Sequence, residues 1–477
     1  MVRRGTALPP PDRAPAAAMK PAALRRGIGP FDATALVVGS MIGSGIFIVS
    51  AESARVLGSA GWLLAAWGIA GILTLLAALS CSELAAMLPK AGGQYVFFRE
   101  AYGPLVGFLF GWALFLVIQS GTIAAVSVAF AKFLGVLWPA ISAERPIFTA
   151  GPIRATAAQA VALAVIAILT ATNASGLRAG TGTQNVFTAA KLAALLALTG
   201  LGLFLGTSGA ALRAPGFWTA VSPSGHALTG IALVAALGTA MVGPLFSQSA
   251  WNNVTFAGEE IRDPERTLPR ALLIGCLIVT AAYVMANVAY ENVLPLSGIQ
   301  HAPADRVGTA AAMAMFGTGA AAATAAAIMI STFGCVNGLI LSGARVTFAM
   351  ARDGLFFRRL ATVNRASVPA SALVAQGIWS GVLVLSGDYG KLLKYVISVD
   401  ILFYVMLVLA VIVLRRRRPD LPRPFRAPGY PYLPLAYAAA GVLLIVILFA
   451  GSPATTWPGY AIVASGIPVY FLWRPQR

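Results

Sequence analysis

The sequence predicts an all-α polytopic membrane protein of twelve transmembrane helices, and three observations carry that prediction. Hydrophobic residues make up 58% of the 477-residue chain and charged residues only 10%, with a mean hydropathy of +0.81. An ordinary soluble globule does not have that composition. Apolar stretches of about 20 residues or more, the length a helix needs to cross ~30 Å of hydrocarbon, recur along the chain. Two of these stretches, in matching places of two halves, are interrupted by helix-weakening residues, which is the pattern of a transporter built from inverted repeats.

Taken in order, residues 1–28 are rich in Pro, Ala and Arg and lack a continuous apolar core, so they are expected to form a disordered basic cytoplasmic tail, with the first span acting as the insertion signal. The first repeat, 29–206, holds spans 1–5. Charge-free runs at 33–51, 56–82, 101–131 and 155–177 supply four, and 184–206, which carries the single cation Lys191, supplies the fifth. The second repeat, 226–414, holds spans 6–10. Runs 214–258 and 307–344 contain spans 6 and 8 with loop residues at their starts, while 271–290, 366–387 and 391–414 give spans 7, 9 and 10. The run 427–473 is too long for one helix and divides at Gly451-Ser452-Pro453, which places spans 11 and 12 within 430–474.

The net charge of +18 raises the question of a nucleic-acid partner, and the distribution of the cations answers it. With the N-terminus in the cytoplasm, the tails and loops of that side hold 24 of the 34 Lys and Arg, and the opposite loops hold eight. This is the positive-inside asymmetry of a plasma-membrane protein with both termini cytoplasmic, so no nucleic-acid partner is called for. Cys81, Cys276 and Cys335 fall in helices, which argues against a structural disulfide. The two histidines, His226 and His301, fall near outward-facing span ends. No metal-ligand cluster, His-paired nucleophile or phosphate-cradling loop emerges, so neither an enzyme nor a cofactor is expected.

The chemistry is expected at the two interruptions. Span 1 contains Gly43-Ser44-Gly45, and span 6 contains Val242-Gly243-Pro244 followed by Phe246-Ser247-Gln248-Ser249-Ala250-Trp251-Asn252. Unwound backbone in hydrocarbon costs several kcal/mol per unmet group unless protein, water or a ligand satisfies it. In span 1 the break frees carbonyls near Met41 and Ile42 and places the amides of Gly43, Ser44 and Gly45 at the start of the following half-helix, where an anion is favoured. Span 6 similarly frees carbonyls around Phe246 to Ser249. Amides facing carbonyls make a receptor for a zwitterion, that is, an α-amino acid. Glycine and serine also occur on packed helix faces, and the pairing of two breaks favours a site over simple packing.

These residues and several motifs resemble the amino acid-polyamine-organocation superfamily of transporters, and within it the L-type amino acid transporter branch and its bacterial relatives. The resemblance rests on Gly43 to Phe47, on Ser82-Glu83-Leu84 followed by Leu88 to Tyr95, on Gly258 to Arg270, on Ser331 to Gly338 and on Arg418 to Pro431, and it runs from about Gly29 to Pro434. It implies a LeuT-like fold in which helices 1–5 and 6–10 form inverted repeats, helices 1 and 6 are discontinuous, and two C-terminal helices follow. It further implies sodium-independent exchange of amino acids, neutral ones being expected, by alternating access. Ile42, Gly43, Ser44 and Gly45 would hold the α-carboxylate and part of the amino group. Phe246 would be a gate, its carbonyl and that of Ser249 would accept from the amino group, and Asn252 would stand beside the pocket.

Lys191 lies about two turns, or roughly 10 Å, from the cytoplasmic start of span 5. It could snorkel from there, whereas the resemblance implies that its ammonium replaces a coupling sodium ion and bridges to the inner half of span 1. Two departures bear on the substrate. Relatives commonly read Phe-Ala-Tyr-x-Gly-Trp in span 6, and here a serine is taken to replace the glycine. Asp400, at depth in span 10, aligns with an asparagine bordering the distal pocket and reads as a structural partner, a substrate counter-ion or a proton carrier. Glu83, Glu259 and Glu260 are expected to pair with Arg262, Arg266 or Arg99. The alternatives to exchange are proton-coupled amino acid symport and permeation of a polyamine or other organic solute. Animal L-type proteins join a heavy chain through a cysteine in an outward loop; no cysteine lies between spans 3 and 4 here, so no disulfide-linked partner is expected, and a bacterial inner-membrane location fits the alanine- and arginine-rich composition.

Overall fold

The structure, a computed structural model, describes residues 24–141, 146–150, 153–206, 211–386 and 389–473. Most of the expected N-terminal tail, residues 1–23, lies outside the described residues. The chain opens with α1 (Pro30–Met41), α2 (Gly45–Ile48) and α3 (Ser50–Leu57), then α4 (Ala60–Met87) and α5 (Gln94–Tyr102). α6 (Pro104–Ala113) runs through a π-turn at Leu114–Ile118 into α7 (Gln119–Leu137). Strands β1 (Pro146–Ala150) and β2 (Ile153–Thr156) form an antiparallel pair before α8 (Ala157–Ser175) and α9 (Leu177–Leu205), a hairpin that hydropathy alone does not signal.

The second half repeats the pattern of short pieces followed by long helices. α10 (Gly230–Ala240), α11 (Val242–Ser247) and α12 (Asn253–Phe256) precede α13 (Pro264–Val293). α14 (Leu296–Gln300) and α15 (Val307–Phe316) lead to α16 (Ala320–Arg352), α17 (Ala370–Ser386), α18 (Tyr389–Arg417), α19 (Tyr432–Gly451) and α20 (Pro453–Trp473). Among the described residues ten helical stretches are long and apolar enough to cross a membrane, so the chain is a multi-pass membrane protein. α17 is shorter than those ten, and α20 is not among them; it carries Pro458 and Pro468 inside the helix.

Local chemistry sets the helix ends. Pro30 occupies the first position of α1, where its missing N–H costs nothing, and the Asp32 carboxylate accepts from the Gly29 amide at 3.0 Å. α8 opens on a reciprocal Thr156–Gln159 cap. α1 packs against α13, α9 and α16, α13 lies along α4, and α18 packs against α4, α5 and α7. The two breaks therefore meet inside a bundle whose side chains can serve them.

On the face that carries the described N-terminal residues, four ion pairs join distant elements. Arg345 of α16 grips Glu260 at 2.7 and 3.0 Å, both groups fully buried. Arg352 holds Glu259 at 2.7 and 3.0 Å, Arg415 of α18 holds Glu83 at 2.6 and 2.8 Å, and Arg99 pairs with Asp353. The expected partners were nearer in sequence. Arg262 and Arg266 instead point outward from the start of α13, exposed, while packing brings the ends of α16 and α18 over the carboxylates. The backbone of Gly27 and Ile28 donates to the Glu260 carbonyl at 2.8 and 3.0 Å, tying the chain's start to the same cluster. Burial pushes the Glu259 carboxyl up, but the hydrogen bond and charge of Arg352, the Ala91 backbone and the charge of Lys90 together hold it below the usual carboxylate range.

The second break corrects one reading of the sequence. Laid position by position on Phe-Ala-Tyr-x-Gly-Trp, the glycine place is taken by Ala250 and not by Ser249, and Ala250 has φ +65°. A Cβ in the left-handed region costs roughly 1–2 kcal/mol, and glycine there carries no such penalty. Ala250→Gly is therefore expected to stabilise the protein by about 1 kcal/mol, raising the melting temperature in detergent by about 1–2 °C. An unchanged or lower melting temperature would count against strain at this residue.

Candidate functional site

The first break begins where the α1 hydrogen-bond ladder ends. The Ile42 amide still reaches the Val38 carbonyl at 2.9 Å, but Ile42 itself is extended, with ψ 98°, and the chain resumes helical form at Gly45. The carbonyls released by this change are each taken by a side chain from another helix. Lys191 of α9, fully buried, donates from Nζ to the carbonyls of Gly39 and Ile42, the latter at 2.8 Å. Tyr283 Oη of α13 donates to Met41 O at 3.0 Å, Cys335 Sγ of α16 to Ser40 O at 3.1 Å, and Ser331 Oγ to Ile42 O and Gly43 O at 3.4 and 3.2 Å. Lys191 thus spends its charge inside the bundle and does not reach toward the headgroups.

Tyr283, Ser331 and Cys335 are functional side chains that the reading of the sequence missed. A signal exists for two of them. Ser331 and Cys335 are four residues apart on one face of α16, continued at Gly338 and Ser342, which makes a small, polar stripe in an apolar helix. Tyr283 is an aromatic among apolar residues of α13 and carries no such mark.

The two breaks lie against each other. A Cβ placed on Gly45 would stand 2.8 Å from the Cβ of Ser247, so only glycine allows this approach. At the second break, the Phe246 carbonyl accepts from the Ser249 amide at 3.1 Å and from its hydroxyl at 2.8 Å. Gln248, fully buried, bridges outward: its Nε2 donates to Trp67 O at 3.3 Å and its Oε1 accepts from Thr280 at 3.1 Å. Asn252 donates to Gln94 Oε1 at 2.7 Å and accepts from Tyr404 Oη at 3.2 Å. Tyr404 also stacks on Trp251, ring centroids 5.2 Å apart, and lies one turn after Asp400 in α18.

A cavity of about 20 Å³ sits beyond the second break, between Thr74, Gln248, Ser249, Ile401, Tyr404 and Tyr437. Of the residues expected to bind substrate, Ser249 lines it and Asp400 does not, while Ile42, Gly43, Ser44 and Gly45 lie at the other break. That volume holds about one water. Ile42, Ser44, Phe246, Ser249, Asn252 and Asp400 are all at most 6% exposed. These residues are closed off from solvent, so a substrate larger than water must open the bundle to reach them. Among the described residues no group of three or more His, Cys, Asp or Glu could hold a metal.

Comparison with known proteins gives this arrangement a context. The family model "Amino acid permease" matches residues 28–472. The human Asc-type amino acid transporter 1 is 31% identical over 468 residues, covering 95% of this chain and 84% of that protein. The human large neutral amino acids transporter small subunit 2 is 31% identical over 457 residues, covering 94% and 81%, and the mouse b(0,+)-type amino acid transporter 1 is 29% identical over 461 residues, covering 95% and 89%. On a match spanning nearly the whole chain, the protein belongs to the amino acid permease family of the amino acid-polyamine-organocation superfamily, a family of membrane transporters.

Proposed function

We propose that this protein is a secondary active transporter that moves neutral α-amino acids across the bacterial inner membrane by sodium-independent exchange. In this reading both termini are cytoplasmic, twelve spans are arranged as two inverted repeats of five plus two, and spans 1 and 6 are the discontinuous helices around which access alternates. The observation that carries it is the Lys191 ammonium on the carbonyls of Gly39 and Ile42, directly before the Gly43–Gly45 amides. A fixed cation at that position supplies the positive charge that would otherwise require a bound sodium ion. Its donation to the carbonyls polarises the adjoining peptide groups and leaves the amides of Gly43, Ser44 and Gly45 oriented for a carboxylate.

The α-amino group then meets the carbonyls of the second break, with Phe246 as the gate above it and Asn252 holding the unwound segment through Gln94 and Tyr404. The side chain points toward the cavity by Ser249. Its apolar wall, including Leu73, Leu245, Ile397 and Ile401, offers no cation, and Asp400 is not among the residues that line it, which supports neutral side chains. The three cysteines are buried in helices, which supports a transporter that works without a disulfide-linked subunit.

Proteoliposomes preloaded with unlabelled amino acid or with buffer test this reading. Labelled neutral amino acid is expected to enter only the preloaded vesicles, equally with and without sodium; entry into buffer-loaded vesicles would make the protein a symporter or uniporter. Lys191→Ala is expected to cut exchange tenfold or more while the protein remains monodisperse and folded. Exchange at the wild-type rate would remove Lys191 from the mechanism.

A further inference from the structure

Glu291 lies fully buried near the end of α13, two residues before its last, and neither carboxyl oxygen has a hydrogen-bond partner. Asn287, one turn earlier on the same face, is already committed: it accepts from Ser50 Oγ at 2.6 Å and donates to the Tyr283 carbonyl at 2.8 Å. The elements packed on this end of α13 supply no counter-charge. The adjoining half of α4, the half of α9 beyond Lys191, and α14 and α15 contain no Asp, Glu, Lys, Arg or His. Of the charged groups nearby, Arg55 is engaged by Glu52 and Asp305 at 2.8 Å each, and Arg306 donates to the Pro303 carbonyl. His301 and His226 are exposed, and Arg213 is exposed in the loop whose Leu212 amide reaches the Glu291 carbonyl at 3.4 Å.

We propose that Glu291 is a proton-binding site on the outer side of the transport core, protonated while that side is closed and ionised when it opens. An ionised carboxylate buried without a protein partner is far costlier than the neutral acid, so the closed conformation holds the proton. The position links that proton to movement. α13 is followed at once by α14 and α15, and these cover the other broken half: Gln300 donates to Ala54 O at 3.0 Å, Arg55 donates to Gln300 O at 2.7 Å, and Gly308 packs on Phe47. Lifting α14 and α15 from α2 and α3 pulls on the end of α13 and admits water to Glu291. The proton enters from the outside and returns there, because the group sits about half a turn from that end of α13 and far from the opposite face. Closure of the outer side therefore takes up a proton, and alkaline outside pH opposes closure.

The transport half of the test rests on the exchange reading above, and the spectroscopic half does not. Infrared difference spectra of the purified protein, titrated from about pH 5 to 9, are expected to show a protonated-carboxyl C=O band that Glu291→Gln removes. Uptake by the wild type is expected to fall several-fold at alkaline outside pH, whereas Glu291→Gln, permanently neutral, stays flat and exceeds the wild type there. Absence of a carboxyl band lost in Glu291→Gln, or the same pH profile in both proteins, would overturn the proposal. If neither protein transports any amino acid, the exchange reading fails, and the infrared band alone decides whether Glu291 carries a proton.

Discussion

The structure depends on how an unwound stretch of backbone in span 1 is satisfied by side chains of neighbouring helices. Between Gly39 and Gly43 five successive carbonyls leave the helical ladder or border its end, and each finds a donor on α9, α13 or α16. An unmet carbonyl at that depth would cost several kcal/mol, which makes these donors a condition for the break. Lys191 contributes most, since a charge-assisted bond is roughly twice as strong as a neutral one. Its own burial is tolerable for the same reason: the ammonium exchanges water for two carbonyl oxygens at the C-terminal end of α1, where the helix dipole favours a cation.

The second break is held differently. It has no buried cation; Gln248 ties it to α4 and α13, and Asn252 ties it to α5 and α18. Each tie joins the broken helix to a different neighbour, so movement of α18 or α4 is felt at the segment beside the cavity. On the face that carries Gly27 and Ile28, the pairs of Glu83, Glu259 and Glu260 with arginines of α16 and α18 bind the same helices together. The Glu260–Arg345 pair is the most deeply buried of these. Losing one partner there would leave an uncompensated charge, at a cost of about 3–5 kcal/mol.

Much of the site was legible because it is made of backbone, and backbone behaviour is written in local residue types. Gly43-Ser44-Gly45 and Pro244 announce breaks, and a lone lysine in span 5 announces an unusual charge. The side chains that answer the breaks were less legible. Tyr283 and Cys335 are ordinary residues of apolar helices until packing brings α13 and α16 against Ser40 and Met41. The partners of Glu83, Glu259 and Glu260 were misjudged for the same reason, since proximity in sequence favoured Arg262 and Arg266 whereas the bundle presents Arg345, Arg352 and Arg415. Glu291 is readable as a charge at the end of span 7, but only the fold shows that nothing meets it.

The most direct measurement is thermal stabilisation of the purified protein by a neutral amino acid, by the amine lacking its carboxylate and by the carboxylic acid lacking its amine. In the proposed reading, amides at one break and carbonyls at the other require both charged groups. The amino acid at a hundred times its Kd should add about 2.7 kcal/mol of stability, and neither fragment should stabilise at the same concentration. Equal stabilisation by the amine alone would contradict recognition of a carboxylate at Gly43–Gly45.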